Sequence, residues 1–370
     1  MSFSLANEVT ALAFVLGGVF GAVGNRVSFC TMGSLVDVFA FGDTRRLRMW
    51  ALAIAVAMAG VAALSQAGLI DVGKSFYTGG KVSWLSMLVG GFLFGCGMTL
   101  GSGCGSKTLI RAGAGNLKSL IVLVFLGIAA YMTLKGLFGM FRVAALDPIQ
   151  FDVGKLGAKN SDLPAILRAT GISAGASAAA GYAIAAAIAI YVFASRDFRE
   201  TRDMIVGGIV IGLVIVAGWY VTAHLGYLAE DPATLEEHFV ATNSGRPESF
   251  SFVAPVAYLL ELLMLWSDSS RVLTFGIAGV LGVLVGSAGY ALASRTFRWE
   301  GFASVEDIVN HVAGGILMGF GGVTALGCTI GQGLTGVSTL AVGSFLALAG
   351  IVAGCYAAVK YQLWRLAGAV

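Results

Sequence analysis

Cys30, Cys104 and Cys328 each close a glycine-rich apolar phrase, and each is followed by a short stretch too polar and brief to be a span. Residues 90–105 read GGFLFGCGMTLGSGCG, and residues 314–331 read GGILMGFGGVTALGCTIG. Set side by side, Gly90, Gly91, Gly95 and Cys104 fall on Gly314, Gly315, Gly319 and Cys328 without a gap. A looser copy runs from Gly17 and Gly18 through Gly21 and Asn25 to Cys30. A thiol is polarizable and a poor S–H donor. Sulfate-type oxyanions take stronger donors such as Arg, Ser or amide N–H, so a row of thiols points to a substrate whose own sulfur is soft. Cys355, in mid-span, is read as a small buried hydrophobe, and Cys96 first as packing.

Polar neighbours extend the candidate site. Asn25 and Arg26 lie one turn before Cys30, Lys107 and Arg111 follow Cys104, and Gln332 follows Cys328 by four. Charges so close to membrane depth are costly, and they are functional or snorkelling. Asn25, Arg26, Cys96, Lys107 and Gln332 form the supporting set, whereas Arg111 marks the membrane boundary with Arg45 and Arg46. His311 reads as a polar cap, His224 and His238 as outer-loop residues, and Asp37 as a partner for Arg45 or Arg46. No His or acid stands beside any of these cysteines to serve as a base, which argues against a nucleophilic enzyme. Without a C-x-x-C pair and with three histidines, the chain has neither a zinc pattern nor a disulfide framework, and no cofactor is implied.

The elements that must hold these thiols are membrane helices. Of 370 residues, 57% are hydrophobic and 12% charged, against about 45–50% and about 25% in a soluble domain. The net charge of +3 gives no reason to expect nucleic acid. No cleavable leader precedes the first span, so residues 1–10 are read as mature protein. Apolar runs predict an all-α polytopic membrane protein with nine transmembrane helices near 9–29, 48–70, 83–103, 117–141, 171–194, 203–224, 272–293, 308–327 and 341–364. The run Phe252–Trp266 is too short and carries Pro255 and Glu261, so a surface or re-entrant helix is expected there. Basic ends at Arg45, Arg46 and Arg48, Lys107 to Lys118, Arg196 to Arg202, Arg295 and Arg298, and Lys360 and Arg365 alternate with an acidic loop. That loop contains Glu230, Asp231, Glu236, Glu237 and Glu248. The positive-inside rule then puts the N-terminus outside and the C-terminus in the cytoplasm.

With that orientation the Cys104 and Cys328 phrases run antiparallel. Gly17 and Gly18 pair likewise with Gly207, Gly208 and Gly212, near Trp219 and Tyr220, where no cysteine follows. The expected architecture is one transmembrane domain, 1–370, with inverted-topology pseudo-twofold halves near 8–141 and 203–365 and a connector helix near 171–194. Segments 31–42, 105–115 and 329–337 are expected to be re-entrant, after helix breaks at Gly101, Gly103 and Gly105 or at Gly327 and Gly331. The amide end of such a half-helix attracts an anion.

The phrases GNRVSFCTMGSLVDVFAFGDTRRLRMW (24–50), GCGSKTLIRAGAGNLKSL (103–120) and GGVTALGCTIGQGLTGVSTL (321–340) resemble those of the YeeE/YedE sulfur-transport family, and the resemblance covers both halves. It implies an hourglass-shaped permease of the bacterial inner membrane that takes up thiosulfate without covalent chemistry. Cys30, Cys104 and Cys328 would then lie along the central path and relay the anion. It also implies a small TusA-like sulfur-carrier protein as cytoplasmic partner. Because some relatives are linked to selenium metabolism, a selenium compound or another sulfur compound is the alternative cargo. A membrane thiol enzyme forming a persulfide is the alternative chemistry. Loops 142–170 and 225–250 depart from the family.

Overall fold

A computed structural model describes residues 2–230, 235–268 and 272–367, so Asp231 of the acidic loop lies outside the described residues. In lipid, a helix satisfies every backbone polar group within one segment, and the Leu-, Ala-, Val- and Gly-rich runs fold accordingly. The chain begins with α1 (Ser2–Arg26), α2 (Thr31–Val36) and α3 (Arg45–Gln66). Then come α4 (Trp84–Leu100), α5 (Gly105–Gly113), α6 (Leu117–Lys135) and the short α7 (Leu137–Phe141). After α8 (Leu163–Ala169) follow α9 (Ala174–Phe193), α10 (Arg196–Glu200) and α11 (Arg202–Tyr220). The last four are α12 (Ala254–Met264), α13 (Phe275–Ala293), α14 (Val305–Thr324) and α15 (Val342–Ala367).

All nine expected spans are helical, and among the described residues eight helical stretches are long and apolar enough to cross a membrane. The helix outside that set is α14, 20 residues long, whose first turn carries Glu306 and Asp307 and whose second carries His311. The disputed run is the 11-residue α12, ~16 Å long at 1.5 Å per residue and so too short to span. It lies against α6, where Glu261 accepts hydrogen bonds from Lys135 Nζ (2.9 Å) and Tyr131 Oη (3.1 Å). Among the described residues strand is confined to two short antiparallel pairs in the loops. Lys81 and Val82 pair with Asp152 and Phe151, and Tyr227 and Leu228 pair with Phe239 and His238.

The long helices pack in reciprocal pairs. Helix α1 lies on α13 as α3 lies on α11; α4 lies on α15 as α6 lies on α14; α4 and α14 cross each other, and α9 leans on α3. Glycine makes these approaches backbone to backbone, as small residues do between membrane helices. A Cβ added at Gly95 would sit 2.2 Å from Ile351 O of α15, and one at its aligned counterpart Gly319 would sit 2.4 Å from Leu126 O of α6. Across the α4–α14 crossing, a Cβ at Gly90 would meet Gly321 O at 2.7 Å, and one at Gly314 would meet Gly97 O at 2.7 Å. The glycine phrase is therefore a packing code as well as a frame for cysteine.

Because Gly95 faces only backbone and Gly319 faces backbone and the Cβ of Ala129, none of which can swing aside, Gly95→Ala and Gly319→Ala should each cost about 1–3 kcal/mol through overpacking. Thermal unfolding in detergent should show both midpoints lowered. Gly289→Ala on α13, where nothing lies within 4 Å of the added Cβ, should not fall. Equal midpoints for all three variants would contradict the close-packing role.

Candidate functional site

The three cysteine segments are built by the same backbone device. Two residues before each cysteine stands a non-glycine residue in the left-handed region: Ser28 (φ 51°), Ser102 (φ 55°) and Leu326 (φ 58°). The next amide reaches back over the helix end, from Phe29 to Gly24 O (2.9 Å), from Gly103 to Met98 O (2.9 Å) and from Gly327 to Gly322 O (2.7 Å). This back-bonding closes the carbonyl end of each helix and turns the chain. The expected breaks fall in the right place, but their pivots are Ser102 and Leu326 rather than glycines. A left-handed L-residue costs about 1–2 kcal/mol, so the geometry is imposed by its surroundings. Arg111 Nη1 donates to Ser102 O at 2.8 Å, bracing one pivot. The fourth position allowed by symmetry has no such break, since α11 runs on into a π-helical turn over Val221–Leu225.

Past each turn the cysteine starts a half-helix or a π-helical segment. Cys30 caps α2, its Sγ accepting from Gly33 N at 3.2 Å, and Cys328 Sγ accepts from Gly331 N at 3.4 Å. An amide bound to the sulfur lone pair leaves the S–H proton free to donate. Cys104 caps α5 with its sulfur 3.3 Å from Ser106 Oγ and within reach of the Lys107 amide. All three are buried, at 4%, 0% and 0% exposure. The Cys30 and Cys104 thiols interact directly, and Cys328 lies within electrostatic reach of Cys104. Lys107, on the first turn of α5, reaches both Cys30 and Cys104, and no acid among the described residues pairs with its ammonium. Cys104 therefore stands between Cys328 and Cys30, with Lys107 beside Cys104 and Cys30.

The other sequence candidates divide between positioning, surface and packing. Asn25 Nδ2 donates to Ser287 O (3.2 Å) and Oγ (3.0 Å), and Ser287 Oγ donates to Ile110 O (2.6 Å), which ties α1 and α13 to α5. Gln332 is fully buried, with Nε2 donating to Ala325 O at 2.6 Å and Oε1 unpartnered. Arg26 instead makes an exposed pair with Asp203 at 3.0 Å, away from the thiols. Cys96 is spent on Gly354 O at 3.4 Å, and Cys355 accepts from Thr99 Oγ1 at 3.4 Å, both between α4 and α15. Asp37 pairs with Arg46, through Nη2 at 2.7 Å and through Nε. Arg46 Nη1 also lies 2.6 Å from where a Cβ on Gly33 would stand, so this ion pair clamps α2. His311 Nδ1 sits 2.7 Å from Asp307 O, a helix-end role. His224 lies against Leu69 O at 3.1 Å, and His238 lies in a loop strand.

A cavity of about 170 Å³ opens beside the Cys328 turn, lined by Leu326, Gly327, Tyr77, Ser251, Tyr258 and Glu248, with Arg142 on its wall. Burial pushes the Glu248 carboxyl up to about 7 against the pull of the Ser244 hydroxyl and the Asn243 amide. Sequence reasoning placed Glu248 only in an acidic loop, because the loop's fold over the cavity has no periodic signature. It also missed most of a set of buried polar atoms without a nitrogen or oxygen partner: Thr31 Oγ1, Trp50 Nε1, Tyr77 Oη, Thr329 Oγ1 and Ser344 Oγ, which join Gln332 Oε1, a residue the sequence had singled out. These flank α2 or the segment 329–336. Buried polar groups are ordinarily bonded, so such a cluster is unusual. Part of it had a signal, the Cys–Thr pair repeated at 30–31 and 328–329.

Comparison with known proteins gives concordant results. A family model described as sulphur transport matches residues 26–357. The chain is similar to a thiosulfate transporter TsuA of Escherichia coli, 26% identical over 373 residues covering 93% of this chain and 92% of that protein. It is also similar to a thiosulfate transporter TsuA of Spirochaeta thermophila, 26% identical over 342 residues covering 90% and 93%.

Proposed function

The chain belongs to the sulphur transport family, and from that premise we propose that this multi-pass membrane protein is a permease for a small sulfur anion, thiosulfate, passed along Cys328, Cys104 and Cys30. The observation that carries the reading is the line of three buried thiols, each at a helix break, two of them holding amides that leave S–H to donate. The anion enters the cavity beside Leu326 and Gly327 and meets Cys328. Its terminal sulfur takes successive S–H donors, each weak enough to release it, as conduction requires. Lys107 beyond Cys104 draws the charge onward. Neutral thiols suit this role, because a thiolate would repel a dianion.

The same reading sets sidedness and symmetry. The cavity face, with the loops 142–170 and 225–250, is the outer one, and the basic face with Arg45, Arg46 and Arg111 is cytoplasmic in a bacterial inner membrane. A small TusA-like carrier would collect sulfur there. The reciprocal pairing of α1 with α13 and α3 with α11, and of α4 with α15 and α6 with α14, supports inverted halves near 8–141 and 203–365, with α9 as connector.

Two expected outcomes follow. In cells fed labelled thiosulfate, Cys30→Ala, Cys104→Ala or Cys328→Ala should each lower uptake at least about tenfold, the loss of one charge-assisted hydrogen bond. Cys355→Ala should transport normally, and wild-type uptake by all three path variants would refute the relay. Uptake should also fall as the pH on the cavity side rises through about 7, because Glu248 is neutral below that value and negative above it. At roughly 8 Å in water and low salt, a unit charge raises a dianion's energy by about 1 kcal/mol, roughly a fivefold effect. Glu248→Gln should keep the low-pH rate throughout, and an unchanged pH profile in that variant would rule out this role.

A further inference from the structure

Tyr77 sits on a 3-10 turn over Phe76–Thr78 and is 3% exposed, yet its hydroxyl has no hydrogen-bond partner. The ring cannot swing away to find one. It lies against Phe76 with centroids 4.1 Å apart and meets Trp219 edge-on at 6.3 Å, while Trp219 is itself fixed by Nε1 donating to Ser338 Oγ at 3.2 Å. The hydroxyl looks into the cavity wall beside Cys328, and it lies 3.5 Å from where a Cβ on Gly331 would stand. Gly331 is the residue whose amide binds the Cys328 sulfur. Beyond Cys328, Thr329 Oγ1 is likewise fully buried with no nitrogen or oxygen partner, and it lies against the Cys104 thiol. Two buried hydroxyls with no nitrogen or oxygen partner therefore flank the outermost thiol, one beside the cavity and one beside the next thiol.

We propose that Tyr77 and Thr329 are specificity-determining donors that bind the oxygen end of the transported anion while the thiols bind its sulfur end. The proposal rests on the permease reading and adds to it. Thiols alone would favour any soft anion, including hydrosulfide, which has no oxygens. Hydroxyls alone would favour sulfate. An anion with a soft sulfur at one end and hard oxygens at the other satisfies both sets at once, and only such an anion uses every donor around Cys328. A buried donor left unpaired by a wrong ligand is a strong basis for discrimination. Thr329 then keeps the oxygens bonded as the sulfur moves from Cys328 to Cys104.

The test uses the full chain reconstituted in liposomes, with Tyr77→Phe, Thr329→Val and Thr329→Ser. Phenylalanine keeps the ring packing and removes an orphan hydroxyl, so Tyr77→Phe should melt no lower than wild type. It should nevertheless raise the half-saturating thiosulfate concentration about tenfold, the usual worth of a hydrogen bond to a charged group. Inhibition of that uptake by hydrosulfide should keep its wild-type inhibition constant. Thr329→Val should behave the same way, and Thr329→Ser, which restores the hydroxyl, should recover the wild-type value. If wild type takes up thiosulfate and both Tyr77→Phe and Thr329→Val keep its half-saturation, the two hydroxyls are structural and the proposal is overturned. If wild type takes up none, the permease reading fails and the proposal falls with it.

Discussion

A helix that stops inside a membrane exposes carbonyls at its end and amides at the start of whatever follows, with no water to satisfy them. The rest of this structure depends on how that constraint is met three times over. A left-handed residue at Ser28, Ser102 or Leu326 turns the chain, and a back-reaching amide closes the old helix. Two residues later a cysteine opens the new segment. Sulfur is a weak acceptor, so a thiol at that position takes an amide lightly, as Cys30 and Cys328 do. A serine or aspartate in the same place would bind its amide strongly and have less to offer a passing ligand.

The surrounding scaffold makes the arrangement stiff. Glycines let α4 pack directly on α14 and α15, and let α14 pack on α6, so the breaks after α4 and α14 are held by backbone contacts rather than by adjustable side chains. The Asp37–Arg46 pair fixes α2, and the Asn25–Ser287–Ile110 chain fixes α5 from behind. Charge is placed at the two ends of the thiol row, with Glu248 at the cavity and Lys107 past Cys104. Between them lie the three buried thiols. Such a row offers contacts that are individually weak and closely spaced, which suits passage better than storage.

Much of this was legible in the sequence. Span positions, the short α12 and the helix breaks before Cys104 and Cys328 all followed from length and polarity, because the bilayer sets both. The pairing of Cys104 with Cys328 was visible because glycine–cysteine spacing survives in the two phrases. Arg26 and Cys96 were open between a site role and a plainer one, because proximity along the chain to Asn25 or Cys104 says nothing about which helix face a side chain takes. Arg26 turned to Asp203 at the surface and Cys96 turned into the α4–α15 contact. Glu248, Tyr77 and Trp50 were invisible, since each reaches the site from a distant loop or helix that carries no repeat. Lys107 and Gln332 do lie close to their cysteines, because each is within about one turn of its thiol, where local geometry leaves little choice.

The central claim is that neutral S–H groups of Cys30, Cys104 and Cys328 donate to the anion. Infrared difference spectroscopy of the S–H stretch, with and without thiosulfate, measures that directly, and single Cys→Ser variants assign each band. Thiosulfate should shift the bands of these three thiols to lower frequency, leave those of Cys96 and Cys355 in place, and have no counterpart with sulfate. Bands that stay put at a concentration saturating transport, or that vanish because the thiols have lost their protons, would contradict the account.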